Sequence, residues 1–191
     1  KLLKSLNLFK PEIVFHLAAQ PLVRRSYQEP METFHTNIIG TSNLLNSLKD
    51  IDTLRAVIVI TTDKCYENND LSIAFKESDP LGGKDPYSAS KACAEIVTYS
   101  FMHSYFKEQD IGVASARAGN VIGGGDWSDD RLIPDALRSF SINETLTIRN
   151  PDSIRPWQYV LEPCLGYLVL AEKLFHEPNK FSTSFNFGPS N

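Results

Sequence analysis

Short apolar runs bounded by polar turns alternate along this chain with longer stretches in which apolar residues return every three or four positions. Leu2, Leu3, Leu6 and Leu8, set between lysines, predict an amphipathic helix over Lys1–Phe9 that Pro11 stops. Ile13–Ala19 (IVFHLAA) reads as a buried parallel strand. Phe34, Ile38, Leu44, Leu45 and Leu48 predict a helix over Thr33–Leu48, and Asp50–Thr53 turns the chain into a second buried strand, Leu54–Ile60. Asn68–Lys84, polar and containing Pro80, Gly82 and Gly83, predicts a loop. Asp85 is placed as an N-cap and Pro86 in the first turn of a helix that runs to about Gln109. A third strand is expected at Ile111–Ala118, a turn at Gly123–Gly125 and a short helix at Arg131–Phe140. A short strand at Leu146–Arg149, an irregular segment at Pro151–Trp157, a helix at Glu162–His176 and a last strand at Phe185–Phe187 complete the pattern. Strands alternating with helices call for an α/β fold built on a doubly wound parallel sheet.

Composition narrows the class without changing the fold. The 191 residues are 42% hydrophobic and 22% charged, which is globular, and the net charge of −4 offers no basic field for a nucleic acid. No apolar run reaches membrane-spanning length, and no signal peptide opens the chain, so neither a membrane nor a secretory route is expected. Cys65, Cys93 and Cys164 are odd in number and scattered, which argues against a disulfide framework or a zinc site and for a reducing, cytoplasmic setting. Cys65 reads as a small half-buried filler. His16, with no second ligand at metal spacing, reads as a hydrogen-bonded core histidine, and no metal is expected.

The chemistry gathers at the strand ends. Tyr87 and Lys91 lie four apart on a helix, hence on one face, where a lysine ammonium favours the phenolate. Such a phenol can take a proton from a sugar hydroxyl as hydride leaves the carbon. Thr61, Thr62, Asp63 and Lys64 follow directly on a buried strand, the edge at which ligands bind in open α/β sheets. Asp63 and Lys64 also admit the plainer reading of a surface ion pair. Ala18 and Ala19 leave room for a ligand to approach the backbone, Gln20 can hydrogen-bond a substrate there, and Thr36 and Asn37 are expected to reach the same edge. The glycine triplet lacks the spacing of a dinucleotide fingerprint and reads as a turn.

These stretches resemble the extended short-chain dehydrogenase/reductase family of sugar-nucleotide enzymes. HLAAQPLVRRSY (16–27), TNIIGTSNLL (36–45), TTDKCYEN (61–68), DPYSASKACAE (85–95), RAGNVIGGGDW (117–127), RLIPD (131–135), RNPDSIRPWQYVLEP (149–163) and FNFGP (185–189) carry the likeness. TTDKCYEN and RNPDSIRPWQYVLEP lean toward the branch that dehydrates CDP-glucose. The resemblance implies a Rossmann-like fold, with 1–120 as the later part of a dinucleotide-binding domain and 121–191 as part of a smaller substrate-binding region. It places the glycine-rich phosphate loop before residue 1, so the chain, which opens without Met, is expected to be a fragment. It implies NAD as cofactor, held by Leu17, Ala18, Ala19, Thr36, Thr61, Tyr87 and Lys91. The catalytic set would be Thr62, Asp63, Lys64, Tyr87 and Lys91. Tyr87 would take the 4-hydroxyl proton, Lys91 would hold the cofactor ribose and Thr62 would bind the 4-oxygen. Asp63 would be the acid, held protonated by burial, and Lys64 the base for the elimination. Gln20, Asn120, Arg131, Arg149 and Arg155 would bind CDP-glucose, arginine forks matching phosphate oxygens. A homodimer built on two long helices, one of them residues 86–107, is the expected assembly.

Two other readings stand beside this one. An epimerase or another nucleotide-sugar dehydratase shares the scaffold, although epimerases typically lack an acid after the Thr62 position. A non-catalytic cofactor-binding protein also shares it, although such proteins usually lose the tyrosine or the lysine.

Overall fold

The computed structural model describes residues 1–68 and 74–189. The elements are α1 (Leu2–Phe9), β1 (Ile13–His16), α2 (Val23–Gln28), α3 (Pro30–Phe34), α4 (Gly40–Leu48), β2 (Ala56–Ile60), α5 (Pro86–Phe101), β3 (Gly112–Ala118), β4 (Val121–Ile122), α6 (Leu132–Ser141), β5 (Gln158–Tyr159), α7 (Leu161–His176), α8 (Pro178–Phe181) and β6 (Ser184–Phe187). Four strands form a wholly parallel sheet in the order β1-β2-β3-β6, and β4 and β5 form a separate parallel pair.

Side chains alternate across each strand, so β2 and β3 feed two cores. Val57, Val59 and Val113 face one layer, with Leu45 and Leu48 of α4 and with Met102 and Phe106 beyond α5. Ala56, Ile58, Ala114 and Ala116 face the other, with Tyr167, Leu170 and Leu174 of α7. Helices thus cover both faces, as the alternating pattern predicts. Gly166 lets α7 lie on β6, because a Cβ there would run into the Phe187 ring.

Five expectations need correction. The first strand ends at His16, not Ala19, and is half-exposed, because β1 lies at the edge of the sheet with a partner on one side only. The first helix buries none of its residues, and Leu8 and Phe9 stay 87% and 81% exposed. The helix expected over Thr33–Leu48 is α3 and α4 joined through one wide turn, His35–Ile39, which loosens the helical register where Asn37 turns its side chain into the protein. Leu146–Arg149 is not a strand. It pairs with no strand among the described residues, and Ile148 is exposed. Cys65 is fully buried rather than half-buried. Of the loop expected over Asn68–Lys84, residues 69–73 lie outside the described residues; the remainder holds one antiparallel bridge, Tyr66 to Leu81.

Candidate active site

The carboxyl ends of β2 and β3 and the first turns of α5 meet at one place. Asp85 starts α5 with a reciprocal cap: its carboxylate accepts from the Tyr87 and Ser88 backbone N–H groups at 3.0 Å each, and the Asp85 N–H donates to Ser88 Oγ at 3.2 Å. Pro86, with its fixed φ, opens the first turn. This cap sets the phase of a buried stripe, Tyr87, Lys91, Glu95 and Thr98, each 8% exposed or less.

Opposite the stripe, β2 ends in Thr61 and Thr62, both buried. Thr62 caps the short turn Asp63–Cys65, accepting from the Lys64 N–H at 3.4 Å and donating to Asp63 Oδ1 at 3.1 Å. The Tyr87 phenol lies beside the same hydroxyl. Burial pushes that phenol up to about 12; the Thr62 hydroxyl pulls it down, the Asp63 charge pushes it further up, and the Arg131 charge pulls it down. Lys91 is not what the spacing predicts. Its ammonium donates to the Ile60 carbonyl at 3.1 Å, and burial lowers its pKa to about 8. The expectation that Lys91 lowers the phenol pKa is therefore corrected: in this geometry desolvation dominates both groups.

Asp63 and Lys64 form an ion pair, Oδ1 to Nζ 3.4 Å, with side chains 30% and 35% exposed. The buried pocket expected around Asp63 is not what surrounds it. Across the gap, Gly119 follows β3 so closely that a Cβ there would lie 2.6 Å from Pro156 Cγ and 3.3 Å from Asp63 Oδ2. Asn120 comes next, and its buried side-chain oxygen has no hydrogen-bond partner among the described residues. Its backbone carbonyl accepts from the Gln158 N–H at 3.0 Å, tethering the Arg149–Pro163 stretch to the site.

The other expected contacts separate. Arg131, whose charge is felt at Tyr87, is held by Asp126 at 2.7 Å. Arg149 pairs instead with Asp130, which Arg24 also approaches at 3.5 Å. Arg155 is exposed and makes no ion pair among the described residues. Leu17 and Ala18 are exposed just past β1, and Ala19 and Thr36 are half-buried nearby in sequence and fold. Gln20 is corrected as a substrate contact. It is 7% exposed, and its amide donates to Leu22 O at 3.1 Å and Thr33 Oγ1 at 2.8 Å while accepting from the Leu22 N–H.

A buried polar cluster that the sequence reading did not single out lies beneath the site. Glu95 pairs with Arg117 at 2.8 Å, with side chains 2% and 4% exposed. Burial works against the Arg117 charge, but the Glu95 hydrogen bond and charge outweigh it and hold the guanidinium pKa above its ordinary value. Asn37 forms a second link: its amide accepts from Gln20 N–H at 2.8 Å and donates to Gln20 O and Ser90 Oγ. Ser90 in turn donates to the Tyr87 carbonyl at 2.7 Å. The signal was available: Glu95 extends the Tyr87–Lys91 spacing by one more step of four.

The model of the GDP-mannose 4,6 dehydratase family matches residues 1–182. The chain belongs to that family. Among curated relatives, the CDP-glucose 4,6-dehydratase of Salmonella typhimurium is 56% identical over 99% of this chain and 54% of its own length. The dTDP-D-glucose 4,6-dehydratase of Dictyostelium discoideum is 32% identical over 87% of this chain and 40% of its own length. The chain spans about half the length of these relatives. Among solved structures, a dTDP-glucose 4,6-dehydratase of Streptomyces venezuelae with NAD bound superposes with a TM-score of 0.85 at 25% identity, covering 100% of this chain and 55% of that one. A UDP-glucuronic acid 4-epimerase of Bacillus cereus in complex with UDP-glucuronic acid and NAD gives a TM-score of 0.84 at 24% identity, over 100% of this chain and 57% of that one, and shows the shared fold.

Proposed function

We propose that the protein to which this chain belongs dehydrates CDP-glucose to CDP-4-keto-6-deoxyglucose with NAD, and that this chain carries the acid–base residues. The observation that supports this reading most directly is the buried Tyr87 phenol beside Thr62, Asp63 and Lys64, in a chain 56% identical to a CDP-glucose 4,6-dehydratase. The residues present fit NAD: the carboxyl edge of β1 carries exposed Leu17 and Ala18, and Lys91 offers a buried ammonium at the end of β2. Leu17, Ala18, Ala19, Thr36, Thr61, Tyr87 and Lys91 would hold it. NAD, when bound, accepts a hydride and later returns it.

This chain's residues supply the proton transfers. Tyr87 first passes its phenol proton to the Thr62 oxygen as the Thr62 proton moves on to Asp63 Oδ1; the phenolate then takes the proton of the 4-hydroxyl. The resulting ketone acidifies the C5 hydrogen. Lys64, as the free amine, then removes that hydrogen, and Asp63 hands the proton it received to the departing 6-hydroxyl, which leaves as water. Lys64 returns its proton to C5 as the hydride returns to C6, and the Tyr87 proton passes through Thr62 to restore Asp63 for the next turnover; the Lys64 and Asp63 side chains lie 3.4 Å apart. The unpartnered Asn120 oxygen is aimed to accept from a sugar hydroxyl. Arg155, which makes no ion pair among the described residues, is the cation free for the diphosphate, and Arg131 and Arg149 would join it by leaving Asp126 and Asp130. Ile96, Tyr99 and Tyr105, exposed along α5 and the turn after it, form the face on which a second copy would pack. No described helix is long and apolar enough to cross a membrane. That and three unpaired cysteines support a cytoplasmic protein.

The test is turnover by the complete gene product. CDP-glucose should yield a 4-keto-6-deoxy sugar, seen by its absorbance in alkali, and Tyr87→Phe should lose at least about 100-fold in kcat, the scale of one general acid–base residue. Consumption of a different nucleotide sugar with CDP-glucose untouched would refute the assignment, and so would a Tyr87→Phe variant of parental rate.

A further inference from the structure

Glu95 is 3% exposed, and its carboxylate takes hydrogen bonds from residues on or next to three neighbouring strands. Oε1 accepts from Thr61 Oγ1, the residue after β2. Oε2 accepts from Ser115 Oγ at 2.6 Å and from Arg117 Nη2 at 2.8 Å, both on β3, and from Ser184 Oγ at 3.2 Å on β6. One helical turn earlier, Lys91 grips the Ile60 carbonyl, the residue immediately before Thr61. Helix α5 is therefore tied to two consecutive residues of the β2 strand end, and the next residue is Thr62.

We infer that Glu95 is a positioning residue for the reaction proposed above: it fixes the height of α5 over the sheet, and so the reach of Tyr87 to Thr62, and one helical turn along α5 it sets a carboxylate beside the buried Lys91. The inference rests on the reading of Tyr87 and Lys91 as the working pair. The geometry makes both parts of the role specific. A carboxylate one methylene shorter cannot hold Thr61 and Arg117 together from the same backbone position. A neutral amide of the same length keeps the reach and removes the charge. That charge matters because Lys91 is buried, and Glu95 is the largest influence opposing the loss of its proton. The other titratable groups near Lys91 are Tyr87 one turn back on α5, Cys65 in the turn after β2 and His16 on β1. Cys65 has its thiol pushed up to about 12 by burial, and His16 has its pKa lowered by burial and by Lys91, so neither brings a charge to Lys91 at neutral pH.

The experiment separates the two parts. In the complete gene product, carbon-13 at the lysine ε position is titrated by NMR, with the Lys91 signal assigned by its absence in Lys91→Arg. The parent midpoint is expected at about 8. In Glu95→Gln it should move down by about one unit, as loss of an adjacent opposite charge requires. In Glu95→Asp it should stay, while kcat falls at least about tenfold and KM stays within about twofold, the pattern of lost positioning rather than lost binding. A purely structural glutamate would lower the melting temperature of both variants and leave the Lys91 titration unmoved. An unchanged midpoint in Glu95→Gln overturns the inference, as does parental kcat in Glu95→Asp; the latter decides alone should Glu95→Gln not fold. The titration needs no substrate. A gene product inert toward CDP-glucose would refute the proposed reaction and leave the Lys91 result to be read by itself.

Discussion

Arg117→Met tests the buried cluster as a determinant of stability. The substitution keeps a long apolar stem and removes the charge. It strands the Glu95 carboxylate, whose side chain is 2% exposed, without its cation. Breaking a buried pair from one side costs ~3–5 kcal/mol. Here Thr61, Ser115 and Ser184 still donate to the carboxylate, which draws the cost toward the lower bound. Arg117 also donates to the Tyr66 hydroxyl at 2.8 Å and the Glu77 carbonyl at 3.1 Å, two further bonds worth ~1 kcal/mol each. Tyr66 keeps a partner in Asn186 Oδ1 at 2.6 Å, so part of that second loss is recovered. The expected loss is about 4–5 kcal/mol, read from urea unfolding of the complete gene product followed by circular dichroism. The double variant Glu95→Leu/Arg117→Met should be more stable than Arg117→Met alone, because no charge is left buried. Ser115 and Ser184 can then bond each other at their present 2.9 Å. A coupling of at least about 2 kcal/mol is expected from the cycle. An Arg117→Met loss below about 1 kcal/mol would refute the reasoning, and so would a double variant whose cost is the sum of the singles.

Lys91 falls from its ordinary 10.5 to about 8 on folding, so the unfolded chain binds more protons between those values and stability must rise with pH there. The parent should gain about 2 kcal/mol between pH 8 and pH 10, and Lys91→Met should lose that gain; parallel pH profiles would exclude it. Cys65, fully buried with its thiol pushed up to about 12, should resist a thiol reagent until denaturant is added, whereas Cys93 and Cys164 label in the native protein. Asn37→Ala should destabilise by about 1–3 kcal/mol, because it leaves the Gln20 backbone N–H and C=O unpaired inside the protein. Peptide-level hydrogen exchange should then rise first in the loop around Gln20.

The sheet was legible because its central strands are short, mostly apolar runs bounded by turns and its helices are periodic: β2 and β3 were located to within two residues of their observed starts, and the α5 cap was read from Asp85 and Pro86 alone. What misled was pattern without a partner. Leu146 and Ile148 alternate like a strand, yet a strand needs an edge to pair, and this stretch pairs with no strand among the described residues. Gln20 sits where a ligand contact was expected, but a buried amide satisfies itself with whatever backbone lies nearest, and here that is Leu22 and Thr33. Arg149 and Arg155 carry charges suited to phosphate, but nothing in a sequence says that Asp130 claims the first of them.

The Tyr87–Lys91 pair shows why spacing yields proximity but not chemistry. Four residues on a helix place both side chains on one face, and both are buried as that rule requires. The charge effect expected from proximity depends on where the ammonium points, and that is decided by the strand. β2 ends with the Ile60 carbonyl within reach, and a buried lysine takes it. The phenol is then left with the Thr62 hydroxyl beside it, Asp63 as an opposing charge and Arg131 as a favourable one. At neutral pH the site therefore rests as phenol and ammonium, since about 12 lies well above 7 and about 8 lies above it. Turning that resting phenol into a base means moving its proton away, and Thr62, whose hydroxyl donates to Asp63 Oδ1, is placed to relay it. The position of Thr62 is set by the residue before it, Thr61, which Glu95 holds. The acidity of the tyrosine is thus controlled less by the lysine on its own helix than by how firmly the tip of β2 is held beneath it.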